Sequence, residues 1–147
     1  MKWLSVTCAL GLFLSSVHAF ASFVGNWEGK GQVRDGSGAT LNCQQFRFQI
    51  IQTGDQLGIR NGLVVCQPHQ LKIEDLTVMN RDGSLFLDGK QIGSLTEDTV
   101  RLDYINKDRI RVRSRGQLKD GRLQYQEEWL DDRNKRVLLF QGSLNRK

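Results

Sequence analysis

Residue types that carry much of enzyme chemistry are scarce in this chain of 147 residues. It contains one proline, Pro68, and two histidines, His18 and His69. His69 stands in "CQPHQ" with no neighbouring ligand or nucleophile, so we interpret it as a surface residue rather than a metal ligand or general base. No nucleophile elbow, phosphate loop or zinc spacing is present. We therefore expect no catalysis and no cofactor.

Long apolar runs are also missing, except at the start of the chain. Residues 1–21, "MKWLSVTCALGLFLSSVHAFA", have one lysine, a short apolar run and small residues where a signal peptidase cuts. The run is too short for a membrane span, so the pattern predicts a signal peptide over 1–21 and export of a single domain, residues 22–147. We expect that domain to be secreted or periplasmic. The chain carries a net charge of +5, a mild basic bias that favours anionic surroundings.

Two cysteines remain beyond the predicted signal peptide, and in an oxidising compartment we expect them to form a disulfide. Two β-prone runs between them flank Gly54-Asp55, a two-residue hairpin signal. The register of that hairpin predicts three facing pairs, with the cysteines on the strand face away from the other two: Cys43 with Cys66, Phe46 with Leu63, and Ile50 with Ile59. In the chain-entropy model such a bridge contributes roughly 3 kcal/mol.

Apolar and polar residues alternate through most of the predicted domain, which is typical of antiparallel strands. The alternating segments are 23–34, 39–53, 56–66, 71–79, 84–95, 99–106, 109–118, 122–131 and 136–145. Turn signals such as "DGSG" at 35–38 separate them, and no long helical period appears. We predict an all-β, up-and-down β-barrel of about eight to ten antiparallel strands, because closure removes exposed sheet edges. A two-sheet β-sandwich is the alternative.

The stretch "RIRVRSR", residues 109–115, places arginines at alternate positions. A hairpin turn at Asp120-Gly121 would pair Arg113 with Glu128 and Val112 with Trp129. The arginines then share a face with carboxylates, and a three-residue loop at 106–108 would set Arg111 beside Asp103. We interpret this strip as a solvated outer face. An exposed site for an anion or polyanion is one alternative, and inward arms for a ligand carboxylate, which would need a two-residue loop, are another.

The opposite face of these strands carries most of the aromatic residues. We predict a ligand-binding interior formed by Trp27, Phe46, Phe48, Tyr125, Glu127, Trp129 and Phe140. A turn centred on Asn134-Lys135 would place Trp129 opposite Phe140. Because these aromatic side chains are not interleaved with the arginines, nothing here predicts a stacking platform for nucleic acid.

Glu127 is the unusual member of this predicted interior. The two hairpin registers place it opposite Ser114 and Gly142, between Tyr125 and Trp129. An inward carboxyl there should have a raised pKa and be protonated, paired with an inward cation, or bonded to Ser114 and a ligand polar group. The alternative is a bulge at Glu127-Glu128 that turns the side chain to solvent.

Gly25-Asn26-Trp27, at the start of the first strand, resembles the Gly-x-Trp of the calycins, which include lipocalins, fatty-acid-binding proteins and avidins. The resemblance implies that Trp27 closes one barrel end and that the barrel holds a small, mostly apolar ligand. It also implies a basic residue packed on that tryptophan, either Arg136 or Arg146. The chain departs from the pattern, because the lipocalin Thr-Asp-Tyr segment is absent and "DGSG" leaves no room for a two-helix lid.

The sequence therefore predicts an exported, non-enzymatic protein that binds a small hydrophobic or amphipathic, lipid-like ligand in its barrel. The alternative is a protein-interaction or inhibitor module whose basic outer face meets an acidic protein or an anionic surface.

Overall fold

The computed structural model describes residues 22–147, which form β-strands joined by turns and loops. The predicted signal peptide, residues 1–21, lies outside the described residues. The eleven strands are β1 (Gly25–Asp35), β2 (Thr40–Thr53), β3 (Gln56–Cys66), β4 (His69–Ile73), β5 (Leu76–Arg81), β6 (Ser84–Leu87), β7 (Lys90–Leu95), β8 (Thr99–Ile105), β9 (Arg111–Lys119), β10 (Arg122–Leu130) and β11 (Arg136–Arg146).

The strands form one antiparallel sheet that closes on itself, since β1 pairs with both β2 and β11 and β2 also pairs with β3. β4 and β5 both pair with β3: β5 pairs with its first half and β4 with its second half. Because these two short strands share one position beside β3, the eleven strands form a closed barrel of 10 strands, which confirms the predicted fold. The predicted segments 71–79 and 84–95 each form two strands, and the turn at Asp88-Gly89 divides the second of them.

The two ends of the barrel are built from different connections. Where β1 begins, neighbouring strands meet in tight turns at Gly54-Asp55, Asp82-Gly83 and Asp120-Gly121. Where β1 ends, a two-residue turn is also present at Asp88-Gly89, but the connections 106–110 and 131–135 are longer. Side chains at their first positions order them: the Asn106 Oδ1 and Asp131 Oδ1 atoms each accept backbone N–H bonds of 2.9 Å. We call these the closed end and the open end.

Trp27 fills the closed end of the barrel. Its side chain is 2% exposed, and its indole Nε1 donates a 2.8 Å hydrogen bond to the backbone carbonyl of Phe23. The Arg146 guanidinium carbon lies 4.9 Å from the Trp27 ring centroid, an attractive cation–π distance. Arg136 lies at the open end and forms a 3.1 Å ion pair with Glu128. Of the two arginines that the resemblance left open, Arg146 is therefore the one that packs on Trp27.

The predicted disulfide between Cys43 and Cys66 is confirmed, with a Cα–Cα distance of 3.9 Å. Its predicted face is wrong, because both cysteines are buried in the core beside Phe46. β2 has a bulge between Cys43 and Phe46. Cys43 pairs with Gly31 on β1 and Phe46 pairs with Gly29, so β2 has one more residue than β1 between these two pairs. The extra residue turns the cysteine inward.

A second irregularity lies in β3, where Asn61 has a φ of 56°. Asparagine tolerates this left-handed conformation better than most residues. Beyond it the β2–β3 register shifts by one residue, and Phe46 faces Val64 instead of the predicted Leu63. The predicted Ile50–Ile59 pair, which lies before the irregularity, is present. Each strand of this hairpin thus has one irregularity, and the two cysteines still meet.

The arginine strip lies on the outer face, as interpreted from the sequence. Arg113 faces Glu128 and Val112 faces Trp129, as predicted. The loop between β8 and β9 has five residues rather than three, so Asp103 faces Arg113. Asp103 still accepts hydrogen bonds of 2.7 and 2.8 Å from Arg111, which hold the pKa of its carboxyl below the usual value. The alternative of inward arms is wrong, since a loop with an odd number of residues keeps the arginines on the outer face.

Replacing Arg111 and Arg113 together with glutamine should lower the melting temperature by no more than about 5 °C. Both side chains and their partner Asp103 are more than a third exposed, and exposed ion pairs contribute at most about 1 kcal/mol. Thermal unfolding followed by circular dichroism measures this effect. Loss of the cooperative transition in the double variant would show that the strip supports the fold.

Candidate ligand-binding site

A cup-shaped cavity of about 690 Å³ lies at the open end of the barrel. Its wall is formed by side chains from β4, β5, β6, β8, β9 and β10. The apolar and aromatic part of this wall consists of Leu71, Ile73, Leu76, Leu87, Tyr104, Ile105, Val112 and Trp129. Its volume falls within the range of about 300–1,000 Å³ that is usual for sites of small organic ligands. We call this cavity the cup.

Glu127 lines the cup and is only 7% exposed. Its Oε2 accepts a hydrogen bond from the Tyr125 hydroxyl, and its Oε1 accepts a 2.6 Å bond from Trp129 Nε1. It faces Ser114 on β9, as predicted, but Phe140 rather than Gly142 on β11. The loop 131–135 is longer than the predicted turn and shifts β11 by two residues, which places Trp129 opposite Leu138.

The predicted alternative for Glu127, a bulge that turns it to solvent, does not occur. The register of β10 and β11 shifts one step later, between Trp129 and Leu130. Glu127 therefore keeps the inward orientation that strict alternation gives it. Strand alternation places this carboxyl in the interior, and the neighbouring phenol and indole then hold it.

Burial raises the pKa of the Glu127 carboxyl, because loss of water disfavours the anion. The hydrogen bonds from Tyr125 and Trp129 oppose this effect by stabilising the anion. Among residues 22–147, no lysine or arginine lies within ion-pair distance of Glu127. The carboxyl is thus held by neutral hydrogen-bond donors alone.

Two tyrosines share this polar corner of the interior. Burial, followed by the negative charges of Glu127 and Glu74, raises the pKa of Tyr104 to about 12. Burial and the neighbouring Glu127 likewise raise the pKa of Tyr125 well above its usual value. Both phenols are therefore neutral at pH 7, and the Tyr104 side chain lines the cup.

The remaining predicted ligand-binding residues fill the barrel rather than line the cup. The ring of Tyr125 lies 5.5 Å from that of Phe46 and 5.2 Å from that of Phe48, between ring centroids. Phe140 is buried 5.5 Å from Trp129, and Trp27 lies at the closed end. Of the predicted set, Glu127 and Trp129 line the cup.

Tyr104 and the apolar wall from β4 to β6 are site residues that were not predicted from the sequence. Leu71, Ile73 and Leu87 belong to segments whose alternation was recognised, but alternation does not show which end of a barrel stays empty. Tyr104, in "LDY", lies on the same face of β8 as Leu102 and pairs with Val112 on β9. This inward-facing position in the alternating pattern was the sequence signal that could have identified it as a site residue.

The rim of the cup is more acidic than the chain as a whole. Its charged side chains are Glu74, Asp75, Asp88, Asp108, Lys72 and Lys107. Lys107 is paired with Glu74, which joins the loop after β8 to the segment between β4 and β5. The net charge of the chain is +5, so the acidic excess at the rim is a local property.

Within residues 22–147, no cluster of three or more histidine, cysteine, aspartate or glutamate side chains could hold a metal ion. The same residues contain no helix long and apolar enough to cross a membrane.

Comparison with known proteins supports the fold. No protein-family model matches the chain, and no curated protein sequence matches it. A protein of unknown function from the DUF3598 family of Nostoc punctiforme PCC 73102 aligns with a TM-score of 0.60 at 12% identity, over 87% of this chain and 49% of that one. The chain thus spans about half the length of that protein. At this identity the likeness shows a shared β-barrel fold alone.

A second solved structure is similar over nearly its whole length. It is a secretary abundant heat soluble (SAHS) protein from Ramazzottius varieornatus, with a TM-score of 0.47 and 13% identity, over 84% of this chain and 95% of that one. Its TM-score is too low for it to support a functional argument.

Proposed function

We propose that this protein is an exported, calycin-like binding protein that holds a small hydrophobic or amphipathic molecule in the cup without catalysing a reaction. The observation that carries the proposal is the cup itself: an open cavity of about 690 Å³ with an apolar wall and one buried carboxyl. Pockets of this kind bind the apolar part of a ligand along the wall and orient its polar end at the convergent polar groups.

The packing of the rest of the interior supports this position for the ligand. Phe46 and Phe48 are 0% and 5% exposed, and with Tyr125 they fill the space between the cup and the closed end. A cavity of about 30 Å³ among Phe23, Ile50 and Leu57 is too small for an organic ligand. A ligand would therefore lie in the cup, with its apolar end against Leu71 and Leu87.

Export is part of the proposal, and the disulfide supports it. Disulfides persist in oxidising compartments and are rare in the cytosol. The Cys43–Cys66 bridge is consistent with a secreted or periplasmic protein, and so is the predicted signal peptide. The alternative function, a basic outer face for an acidic partner, stays a prediction. Asp103 already neutralises part of that face by pairing with Arg111 and Arg113.

The purified protein should bind the neutral dye N-phenyl-1-naphthylamine saturably, with enhanced dye fluorescence that is insensitive to salt. Leu87→Lys should weaken this binding by about tenfold or more, because it places a charge in the apolar wall. Leu41→Lys is the matched control, since Leu41 is 42% exposed and lies outside the cup, and it should leave dye affinity unchanged. Fluorescence titration at low and high salt measures both effects.

Two results would contradict the proposal. One is the absence of saturable dye binding by a protein whose thermal transition is intact. The other is an equal loss of affinity in both lysine variants. Binding that falls steeply with salt would instead favour the outer basic face, because exposed charges are screened within about 10 Å at moderate ionic strength.

A further inference from the structure

The chemistry of the cup restricts which polar group a ligand can carry. Glu127 is the one buried charged residue in the described chain, and its carboxyl lines the cup. About half of the remaining lining is apolar or aromatic, and the other charged side chains lie at the exposed rim. A buried carboxyl without a cation is costly to ionise, so a ligand that supplies a positive charge would gain more here than in water.

The carboxyl of Glu127 has capacity for a further donor. A carboxylate has two oxygens with about four lone-pair positions. Tyr125 uses one of these positions and Trp129 a second. A donor from the cup can therefore bind without displacing either protein contact. A ligand carboxylate would place a second negative charge beside the first, and like charges at this distance repel strongly in a poorly hydrated site.

The rim favours the same sign of charge. Four carboxylates and two lysines line it, and one of the lysines, Lys107, is already paired with Glu74. This acidic excess attracts cations toward the opening, although the chain as a whole is basic. The buried carboxyl of Glu127 and the acidic excess at the rim thus each disfavour the binding of an anionic ligand.

We infer that the ligand of the cup is an amphipathic amine, whose ammonium group binds Glu127 while its hydrocarbon part packs against the apolar wall. The inference rests on the proposed function and adds the class of ligand. It excludes fatty acids and other apolar carboxylates as preferred ligands.

Three probes of equal chain length test this inference: dodecylamine and sodium dodecanoate, each below its micellar concentration, and dodecanol below its solubility limit. Their affinities are measured at pH 7 by displacement of N-phenyl-1-naphthylamine from the purified protein. We expect dodecylamine to bind at least about tenfold more tightly than dodecanol, and dodecanoate to bind most weakly. Glu127→Gln should abolish the preference and bring the amine and the alcohol to similar affinities, because a neutral amide cannot form an ion pair with the ammonium group.

Glu128→Gln is the matched control. It makes the same change of charge one residue further along β10, at a side chain that pairs with Arg136 at the open end. Glu128→Gln should keep the preference for the amine. Loss of that preference in both variants, or in neither, would overturn the role of Glu127.

The outcomes separate this inference from the proposed function. Dodecanoate that binds as tightly as dodecylamine, or more tightly, overturns the inference but leaves a ligand-binding cup. If the dye does not bind, or if none of the three probes displaces it, the proposed function is wrong and the inference is wrong with it. Thermal unfolding of each variant confirms that a change in affinity is not a loss of fold.

Discussion

Trp27→Ala should lower the free energy of unfolding by about 3–5 kcal/mol, the usual cost of removing a large buried aromatic side chain. Trp27 is 2% exposed, and its indole seals the closed end of the barrel between Phe23 and Arg146. The substitution leaves a cavity, and it also removes the donor to the Phe23 carbonyl. Urea unfolding followed by circular dichroism measures the change.

The position of Trp27 along β1 increases the effect. Trp27 pairs with Arg146 on β11 and with Phe48 on β2, at the seam where the first and last strands meet. Barrel closure depends on that seam. Small domains are stable by only about 5–15 kcal/mol, so this substitution should remove a large part of the total.

Ile105→Ala is the control for the loss of a large apolar side chain. Ile105 is 64% exposed, so its removal should change the free energy of unfolding by no more than about 0.5 kcal/mol. A Trp27→Ala variant as stable as Ile105→Ala would show that the closed end tolerates a cavity. The tryptophan would then have no structural role there.

Most of the fold could be predicted from the sequence because the strand period and the tight turns are local signals. The hairpin at Asp120-Gly121 gave the correct pairing along β9 and β10, since Asp120 and Gly121 adopt φ values of 52° and 74°, which a tight hairpin turn requires. Alternation predicts one strand over the segment 84–95, but Asp88-Gly89 carries the same turn signal, and the segment forms β6 and β7.

The register errors between β8 and β9 and between β10 and β11 have a common cause. The loops 106–110 and 131–135 are organised by the side chains of Asn106 and Asp131, which make local hydrogen bonds to the backbone and lengthen the turn. Each loop moved the predicted pairing by two residues, which preserves the face of every side chain. Glu127 therefore faces inward and Arg113 outward, as predicted, although the residues predicted to face them on β11 and β8 were wrong.

Bulges caused the one reversal of a face. An extra residue in β2 turns Cys43 inward, and an irregularity at Asn61 moves Val64 into the place predicted for Leu63. The bulge in β2 carries no clear local sequence signal, whereas Asn61-Gly62 in β3 is an Asn-Gly pair of the kind that marks a turn or a bulge. The cup could not be predicted from the sequence. Its empty space depends on how several strands pack at one end of the barrel rather than on any motif.

Glu127→Ala should be the most damaging change in the cup. It leaves the Tyr125 hydroxyl and the Trp129 indole N–H without their acceptor, and each orphaned donor costs about 1–3 kcal/mol if no water replaces the carboxyl. Glu127→Gln should be nearly neutral at low pH, since the amide oxygen can accept from Trp129 and the amide nitrogen can donate to the Tyr125 oxygen. Unfolding free energies of the two variants at pH 4 separate loss of hydrogen bonds from loss of charge.

The pH dependence distinguishes the wild type from Glu127→Gln. The folded pKa of Glu127 is raised by burial above the unfolded value of about 4.3, so the folded state binds this proton more tightly. The stability that this proton confers is fully present below the unfolded pKa, and it declines as pH rises from that value through the folded pKa. Tyr104 and Tyr125, which face the same carboxyl, stay neutral over this range because their pKa values are raised.

Glu127→Gln cannot lose this proton, so its stability relative to the wild type should increase with pH across that window and then level off. At pH 7 the variant should be as stable as the wild type or more so. A wild type that loses no stability relative to the variant as pH rises would mean that Glu127 ionises as easily when folded as when unfolded. The floor of the cup would then be well hydrated, and a ligand ammonium would gain little over water by binding there.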